Sequence, residues 1–142
     1  MKRLELVGVR LCERCGRGGA ELRSEDGETL VVPLDPVNAR ALSGAECDLR
    51  SLADLLVERL PAAGVAASEV VLDVAEERLR ALFSFAREGE EDVVACAAGE
   101  GVALAVRGGL KLYATDEALA HAAQRAGRPH RHGGTGGSDV LH

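Results

Sequence analysis

Cys12 and Cys15 are the first residues of this chain whose type and spacing suit chemistry, because a CxxC pair can bind zinc or exchange disulfides. Zinc usually takes four ligands, arranged as two CxxC pairs or as one CxxC with a histidine pair. The other cysteines, Cys47 and Cys96, are isolated in the sequence, and His130 and His132 lie in the C-terminal segment. A zinc site at Cys12 and Cys15 is therefore not favoured. We interpret them as loop cysteines that are open to transient oxidation.

Glu100 is the second candidate, since it stands between Gly99 and Gly101 at the predicted start of a helix. The free amides of a helix start can hold an anion. A carboxylate beside them would repel a phosphate unless a metal ion bridges the two. Glycines spaced in this way also serve ordinary tight turns, so the pattern alone leaves both interpretations open.

The remaining polar groups are weaker candidates for a site. Asp54 and Glu58 lie one turn apart on the polar side of a predicted helix, where they can act together on a metal or in acid–base work. The acidic run from Glu88 to Asp92 can attract Mg²⁺ or Ca²⁺. Solvated surface is the more ordinary role for both groups, and for His121 on the last predicted helix.

Alternating apolar residues predict the strands that would position these groups. They cover residues 3–11, 20–23, 28–34, 69–75, 79–86, 93–97 and 110–113. In the first strand, the alternation places Val7, Val9 and Leu11 on one face and Leu4 and Leu6 on the other. Asp26-Gly27 predicts a tight hairpin, and the acidic run is predicted as a loop.

Caps and apolar spacing predict four helices. Asp35-Pro36 begins the first helix, which ends near Gly44, and Thr115 begins the last. Asp48 is predicted to cap the second helix, Leu49 to Leu60. Its apolar residues form a single predicted stripe, made of Leu49, Leu52, Ala53, Leu56, Val57 and Leu60. The third helix follows Gly99-Glu100-Gly101 and ends at Gly108-Gly109.

Hairpins interspersed with helices predict an α+β fold with a mixed, largely antiparallel sheet and helices packed on it. The length suits one domain, which we place at residues 1–124, followed by a disordered Gly/His/Arg tail at 125–142. Aromatic residues make up only 2% of the chain, so the core must consist of Leu, Val and Ala.

The net charge of −6 argues against a broadly basic surface that follows a phosphate backbone. Contact with nucleic acid would need a local patch or metal ions. No apolar run reaches the ~20 residues that span a bilayer, and the N-terminus lacks the apolar stretch of a signal peptide. We therefore expect a cytoplasmic protein with reduced cysteines and no membrane partner.

Several segments, taken in order, carry a resemblance to a known family. They are Leu30-Val31-Val32-Pro33-Leu34 followed by a helix, the helix from Leu49 to Leu60, the strand containing Ala81 to Phe85, and Gly101 to Arg107 with the segment behind it up to Leu119. In these segments the chain resembles the bifunctional nuclease family of small bacterial and plant proteins. Its members are α+β domains, are often oligomeric and have been linked to DNase and RNase activity.

The resemblance implies metal-assisted hydrolysis of phosphodiester bonds in DNA or RNA by a homo-oligomer. Asp54 and Glu100 would hold a divalent ion, Mg²⁺ or Mn²⁺, that activates water and offsets the charge of the phosphate. The residues implied to contact the substrate are Arg50, Gly99, Gly101 and Arg107.

The polar signature of the family is altered in this chain. Its Arg-Pro-Ser-Asp is replaced by Ala97-Ala98-Gly99-Glu100, and its Thr-His-Asp reads Leu52-Ala53-Asp54. The family's acidic residue after the Leu-Pro strand is replaced near Arg40. These differences keep open a second hypothesis, a non-catalytic oligomeric binding or regulatory module on the same scaffold.

Overall fold

The computed structural model describes residues 1–45 and 48–126, which form one mixed, curled sheet with helices. The strands are β1 (Lys2–Leu11), β2 (Gly18–Ser24), β3 (Thr29–Leu34), β4 (Val65–Ala75), β5 (Arg78–Arg87), β6 (Glu90–Ala97) and β7 (Lys111–Ala114). The helices are α1 (Pro36–Ser43), α2 (Leu52–Arg59), α3 (Ala98–Gly108) and α4 (Asp116–Ala126), with a 3₁₀ turn at Pro61–Ala63. Cys47 and residues 127–142, most of the predicted tail, lie outside the described residues.

The sheet has the strand order β3-β2-β1-β7-β4-β5-β6. Every neighbouring pair is antiparallel except β4 and β7, which run parallel. This parallel pair requires a crossover, and α3 is the helix that leads from β6 into β7. The α+β class with a largely antiparallel sheet is therefore confirmed.

The core lies between the sheet and α3. Val70 and Leu72 of β4 and Leu22 of β2 are fully buried, as the alternation of their strands predicts. The rings of Phe83 and Phe85 stack on β5 with their centroids 5.4 Å apart. Of the described helices, α3 contributes most to this core, with Val102 and Ala103 completely covered.

β1 departs from the predicted alternation because it contains a β-bulge. Its register against β2 shifts between Leu6 and Gly8. One extra residue reverses the faces that follow it, so Leu4, Leu6 and Val9 all contact the core while Val7 is 47% exposed. The prediction that Val7 and Val9 share one face was wrong for this reason.

α2 is shorter than predicted, and its apolar stripe is divided. The helix begins at Leu52, after Ser51, whose hydroxyl accepts a hydrogen bond from the Asp54 amide at 3.1 Å. The predicted Asp48 cap and Leu49 start were therefore wrong. Of the predicted stripe, Ala53 is buried and Val57 and Leu60 pack on the core. The other three members are exposed: Leu49, Leu52 and Leu56.

Most of the other predicted helix ends are confirmed, but α3 begins at Ala98, so Gly99-Glu100-Gly101 forms its first turn and does not precede it. The Asp35 carboxylate accepts a hydrogen bond from the amide of Val37, and Gly44 ends α1 in the left-handed conformation. The Thr115 hydroxyl accepts one from the Ala118 amide at the start of α4. α4 extends to Ala126, two residues beyond the predicted domain boundary.

Two tight turns join β4, β5 and β6. Glu76 and Glu77 have φ of 52° and 63°, and Glu88 and Gly89 have φ of 53° and 82°. Positive φ at both central residues is typical of two-residue hairpins. The predicted acidic loop is only partly a loop, because β6 already begins at Glu90. None of the helices described is long and apolar enough to cross a membrane.

Candidate functional site

The glycines that flank Glu100 bring α3 close to the sheet. A Cβ on Gly101 would lie 2.1 Å from the Cβ of Ala81 on β5, and one on Gly99 would lie 2.5 Å from the Pro33 carbonyl oxygen on β3. Neither position has room for a side chain. Glycine at these sites therefore has a packing role, which fixes the start of α3 between two strands and so fixes Glu100.

Glu100 contacts a buried amide on α1. The Asn38 Nδ2 donates to Asp35 Oδ1 at 2.6 Å and to Glu100 Oε1 at 3.2 Å. Asn38 is only 3% exposed, and within the described residues its Oδ1 is buried without a hydrogen-bond partner. Two carboxylates thus converge on one amide whose oxygen is unpaired.

This donor set suits a hard divalent cation. Mg²⁺, Mn²⁺ and Ca²⁺ prefer oxygen ligands. Turning the Asn38 amide over exchanges its nitrogen and oxygen, which directs the carbonyl toward the oxygens of Asp35 and Glu100. The carbonyl is needed as a ligand, because the described chain contains no group of three or more His, Cys, Asp or Glu side chains placed to hold a metal.

Asp54 has a different partner from Glu100. Its Oδ1 accepts a hydrogen bond from Arg107 Nε at 2.5 Å, which joins α2 to the end of α3. Burial alone would raise the pKa of Asp54, but the hydrogen bond and charge of Arg107, with the Ser51 hydroxyl, lower it below its usual 3.8. Arg107 follows Glu100 by seven residues, which is ~10 Å along a helix axis.

The second predicted substrate arginine is also in an ion pair. Arg50 pairs with Glu58 at the exposed surface of α2. Asp54 and Glu58, predicted as a possible pair one turn apart, therefore bind different arginines. Contact of Arg50 or Arg107 with a substrate would require these ion pairs to open.

A cleft of about 1070 Å³, lined by both charged and apolar residues, lies at the start of α3. Gly99 lines it, together with β3, α4 and the turn between β4 and β5. Its charged lining consists of Arg10, Glu76, Glu77, Arg78 and Arg125. His121 also lines it, with Nε2 3.0 Å from the Glu77 carbonyl oxygen. Ala97, the N-cap of α3, offers no side chain to the first amides of the helix.

An apolar cavity of about 490 Å³ lies beside α2. It is bounded by α2, α3 and the beginning of β4, with Val57, Leu60, Phe83 and Leu104 among its lining residues. The exposed leucines of α2 lie on the same helix as Val57, and Leu60 directly follows that helix. The apolar cavity and the cleft thus lie toward opposite ends of α3, since Leu104 and Gly108 line the cavity and Gly99 lines the cleft.

Glu100 was predicted from the sequence as a site residue, whereas Asn38 was not. Asp35 and Asn38 have the spacing of a helix cap and its third residue, and this signal predicts a local contact only. The contact of Asn38 with Glu100 joins residues 62 positions apart. No family model and no curated protein sequence matches this chain. Membership of the bifunctional nuclease family therefore stays a prediction.

Proposed function

We propose that this protein is a metal-dependent nuclease that hydrolyses phosphodiester bonds of DNA or RNA, as its resemblance to the bifunctional nuclease family implies. The observation that carries the proposal is the convergence of Asp35 and Glu100 on Asn38, whose buried oxygen has no partner among the described residues. Two carboxylates beside one buried amide supply the negative charge and the oxygen ligands that a divalent cation prefers.

The residues have separate tasks in this proposal. Asp35, Asn38 and Glu100 would hold Mg²⁺ or Mn²⁺, which supplies positive charge for the phosphate and lowers the pKa of bound water. The uncapped amides at the start of α3 favour an anion beside Glu100.

The cleft supplies a place for the nucleic acid. Arg10, Arg78 and Arg125 give it cationic groups in a chain of net charge −6, which is the local patch that an acidic protein needs to contact phosphates. Glu76 and Glu77 line the same cleft and limit its positive charge. With three arginines and two glutamates in the cleft, binding is expected to weaken only moderately with salt.

The test is cleavage of single- and double-stranded DNA and RNA with Mg²⁺ or Mn²⁺. Asp35→Asn and Glu100→Gln are expected to reduce both cleavage and Mn²⁺ affinity by more than ~10-fold, because each removes a charged ligand. Asn is also a good N-cap, so Asp35→Asn keeps α1 capped. Asn38→Asp is expected to raise Mn²⁺ affinity by adding a third carboxylate.

Glu5→Gln is the matched control, because it removes an exposed carboxylate on β1 and should leave cleavage unchanged. Mn²⁺ affinity is measured separately by calorimetry, so a variant that binds metal normally but does not cleave is recognised. Absence of cleavage at high protein concentration with either metal would contradict the proposal.

A second candidate function is a non-catalytic homo-oligomeric binding module. It is favoured by exposed leucines at the start of α2 and just before it, where Leu52 and Leu49 are 69% and 68% exposed. Val93 and Val94 are also exposed on β6, an edge strand of the sheet. Clustered apolar surface of this kind is typical of interaction sites. A stable oligomer that cleaves none of the four nucleic acids would support this candidate over the first.

A further inference from the structure

Cys12 and Cys15 lie in a closed turn between β1 and β2. The Cys12 carbonyl accepts a hydrogen bond from the Gly16 amide at 2.8 Å, and the Cys12 amide donates to the Arg17 carbonyl at 2.7 Å. Gly16 has a φ of 75°, which glycine adopts without strain. Both bonds fix the backbone on either side of the two cysteines.

This turn places the two sulfurs on one side. A bond from residue i to residue i+4 makes a single α-turn, in which residues three apart face the same way with Cβ atoms ~5–6 Å apart. Both cysteines are free thiols, Cys12 is partly buried and Cys15 is exposed. A disulfide needs Cα atoms about 4.4–6.8 Å apart, which a turn of this kind provides.

The surroundings of Cys12 favour its thiolate. Hydrogen bonds from the Cys15 amide, the Cys15 thiol and the Arg14 amide, with the charge of Arg14, lower the pKa of Cys12. Cys96 on β6 shows the opposite behaviour, since burial and the charge of Glu100 raise its pKa. The turn also carries two arginines, Arg14 and Arg17, and one acidic residue, Glu13. Its net positive charge attracts anions.

We propose that Cys12 and Cys15 form a thiol–disulfide exchange site whose substrate is the disulfide of a small anionic thiol. This inference is independent of the proposed nuclease activity, because the pair stands apart from Asp35, Asn38 and Glu100 in the hydrogen-bond network. The CxxC turn, interpreted from the sequence as a loop with cysteines open to transient oxidation, thereby receives a chemical function.

The exchange proceeds in two balanced steps. The Cys12 thiolate attacks one sulfur of the substrate disulfide, which forms a mixed disulfide and expels the first substrate thiolate. The Cys15 thiolate then attacks the Cys12 sulfur, which forms the Cys12–Cys15 disulfide and expels the second. The two cysteines together lose two electrons and two protons, and the substrate disulfide gains both as two thiols.

The test uses the full chain with Cys47→Ser and Cys96→Ser, so that only the CxxC thiols remain. Oxidised glutathione is the probe, and intact mass and thiol titration are the measurements. The expected product has lost both thiols and carries no glutathione, and dithiothreitol restores it. Adding Cys15→Ser should stop the reaction at a product with one glutathione attached, because nothing then expels it.

The third variant reports which cysteine attacks. With Cys12→Ser instead, the reaction at pH 6.5 is expected to be roughly fivefold slower than with Cys15→Ser, because the thiolate of Cys12 forms at lower pH. Accumulation of a product with two glutathiones would overturn the proposal. Stoichiometric zinc that protects both thiols until a chelator is added would also overturn it.

Discussion

α2 and α3 contact each other, yet their apolar residues have different surroundings. α3 has six buried residues, and Val102, Ala103 and Ala105 among them are 2% exposed or less. α2 has one buried residue, Ala53, while Leu52 and Leu56 are 69% and 44% exposed. The less bulky helix is the better buried one, so apolar content alone does not decide which helix the sheet covers.

The difference arises from how closely the backbone of each helix approaches the sheet. Both helices lie on connections that cross the sheet, α2 between β3 and β4 and α3 between β6 and β7. Gly99 and Gly101 allow the α3 backbone to approach β3 and β5, whereas α2 contains no glycine and carries bulky leucines. Leu52 and Leu56 of α2 remain exposed.

The largest expected effect is the loss of the close contact of α3. Gly101→Ala would place a methyl group 2.1 Å from the Ala81 Cβ, so the helix must move away from β5. We expect the free energy of unfolding to fall by about 2–3 kcal/mol, although alanine favours helices by ~1 kcal/mol over glycine. Urea denaturation measures this change.

Gly8→Ala is the matched control, since a Cβ on Gly8 meets nothing within 4 Å. It is expected to change the free energy of unfolding by less than ~0.5 kcal/mol. Equal effects of the two substitutions would show that glycine-dependent packing is not what distinguishes α3 from α2.

A smaller effect on stability is expected on α2, together with a change in assembly. Leu52→Gln combined with Leu56→Gln removes two exposed leucines and should lower the free energy of unfolding of the isolated chain by less than ~1 kcal/mol. If these leucines are covered by a second copy, sedimentation velocity should show an oligomer for the original protein and a monomer for the variant.

Val31→Gln is the control for this experiment. Val31 is 49% exposed on β3, away from α2, and its loss should leave the sedimentation coefficient unchanged. A monomeric original protein at all concentrations would contradict the oligomer, and α2 would then be an apolar face without a partner copy.

Short-range sequence patterns predicted most of the helices and strands that carry these substitutions. The alternation of β4 and β5, the Asp35 and Thr115 caps, and the Gly108-Gly109 end of α3 all depend on residues close in sequence. The start of α2 was missed because both Asp48 and Ser51 can cap a helix, and only packing selects Ser51. The bulge in β1 was missed because nothing in its alternation distinguishes an extra residue.

The candidate site was harder to predict because its contacts are long-range. Asn38 and Glu100 are 62 residues apart, and Asp54 and Arg107 are 53 apart. The sequence shows that each of these side chains can take part in a site, but it does not show which of them are in contact. Asp54 and Glu100 were grouped by the resemblance, whereas the structure gives each a separate partner.

The smallest expected effect concerns the ion pair of Asp54 with Arg107, which joins α2 to α3 where apolar contact is incomplete. Asp54→Asn is expected to lower the free energy of unfolding at pH 7 by about 0.5–1 kcal/mol, because Arg107 loses its charged partner. The pKa of Asp54 is lowered in the folded protein, so its stabilisation is present above the usual 3.8 and is lost as the pH falls through the folded value.

The difference between the original protein and Asp54→Asn should therefore shrink as the pH is lowered from 5 toward 2, which urea denaturation at several pH values measures. Glu58→Gln gives the comparison, since Glu58 and Arg50 are both 53% exposed and their pair should contribute almost nothing at any pH. A difference for Asp54→Asn that stays constant with pH would mean that the charge of Asp54 does not stabilise the contact between the helices. α2 would then be held on α3 by Ala53, Val57 and Leu60 alone, and the contrast between the two helices would be one of apolar packing only.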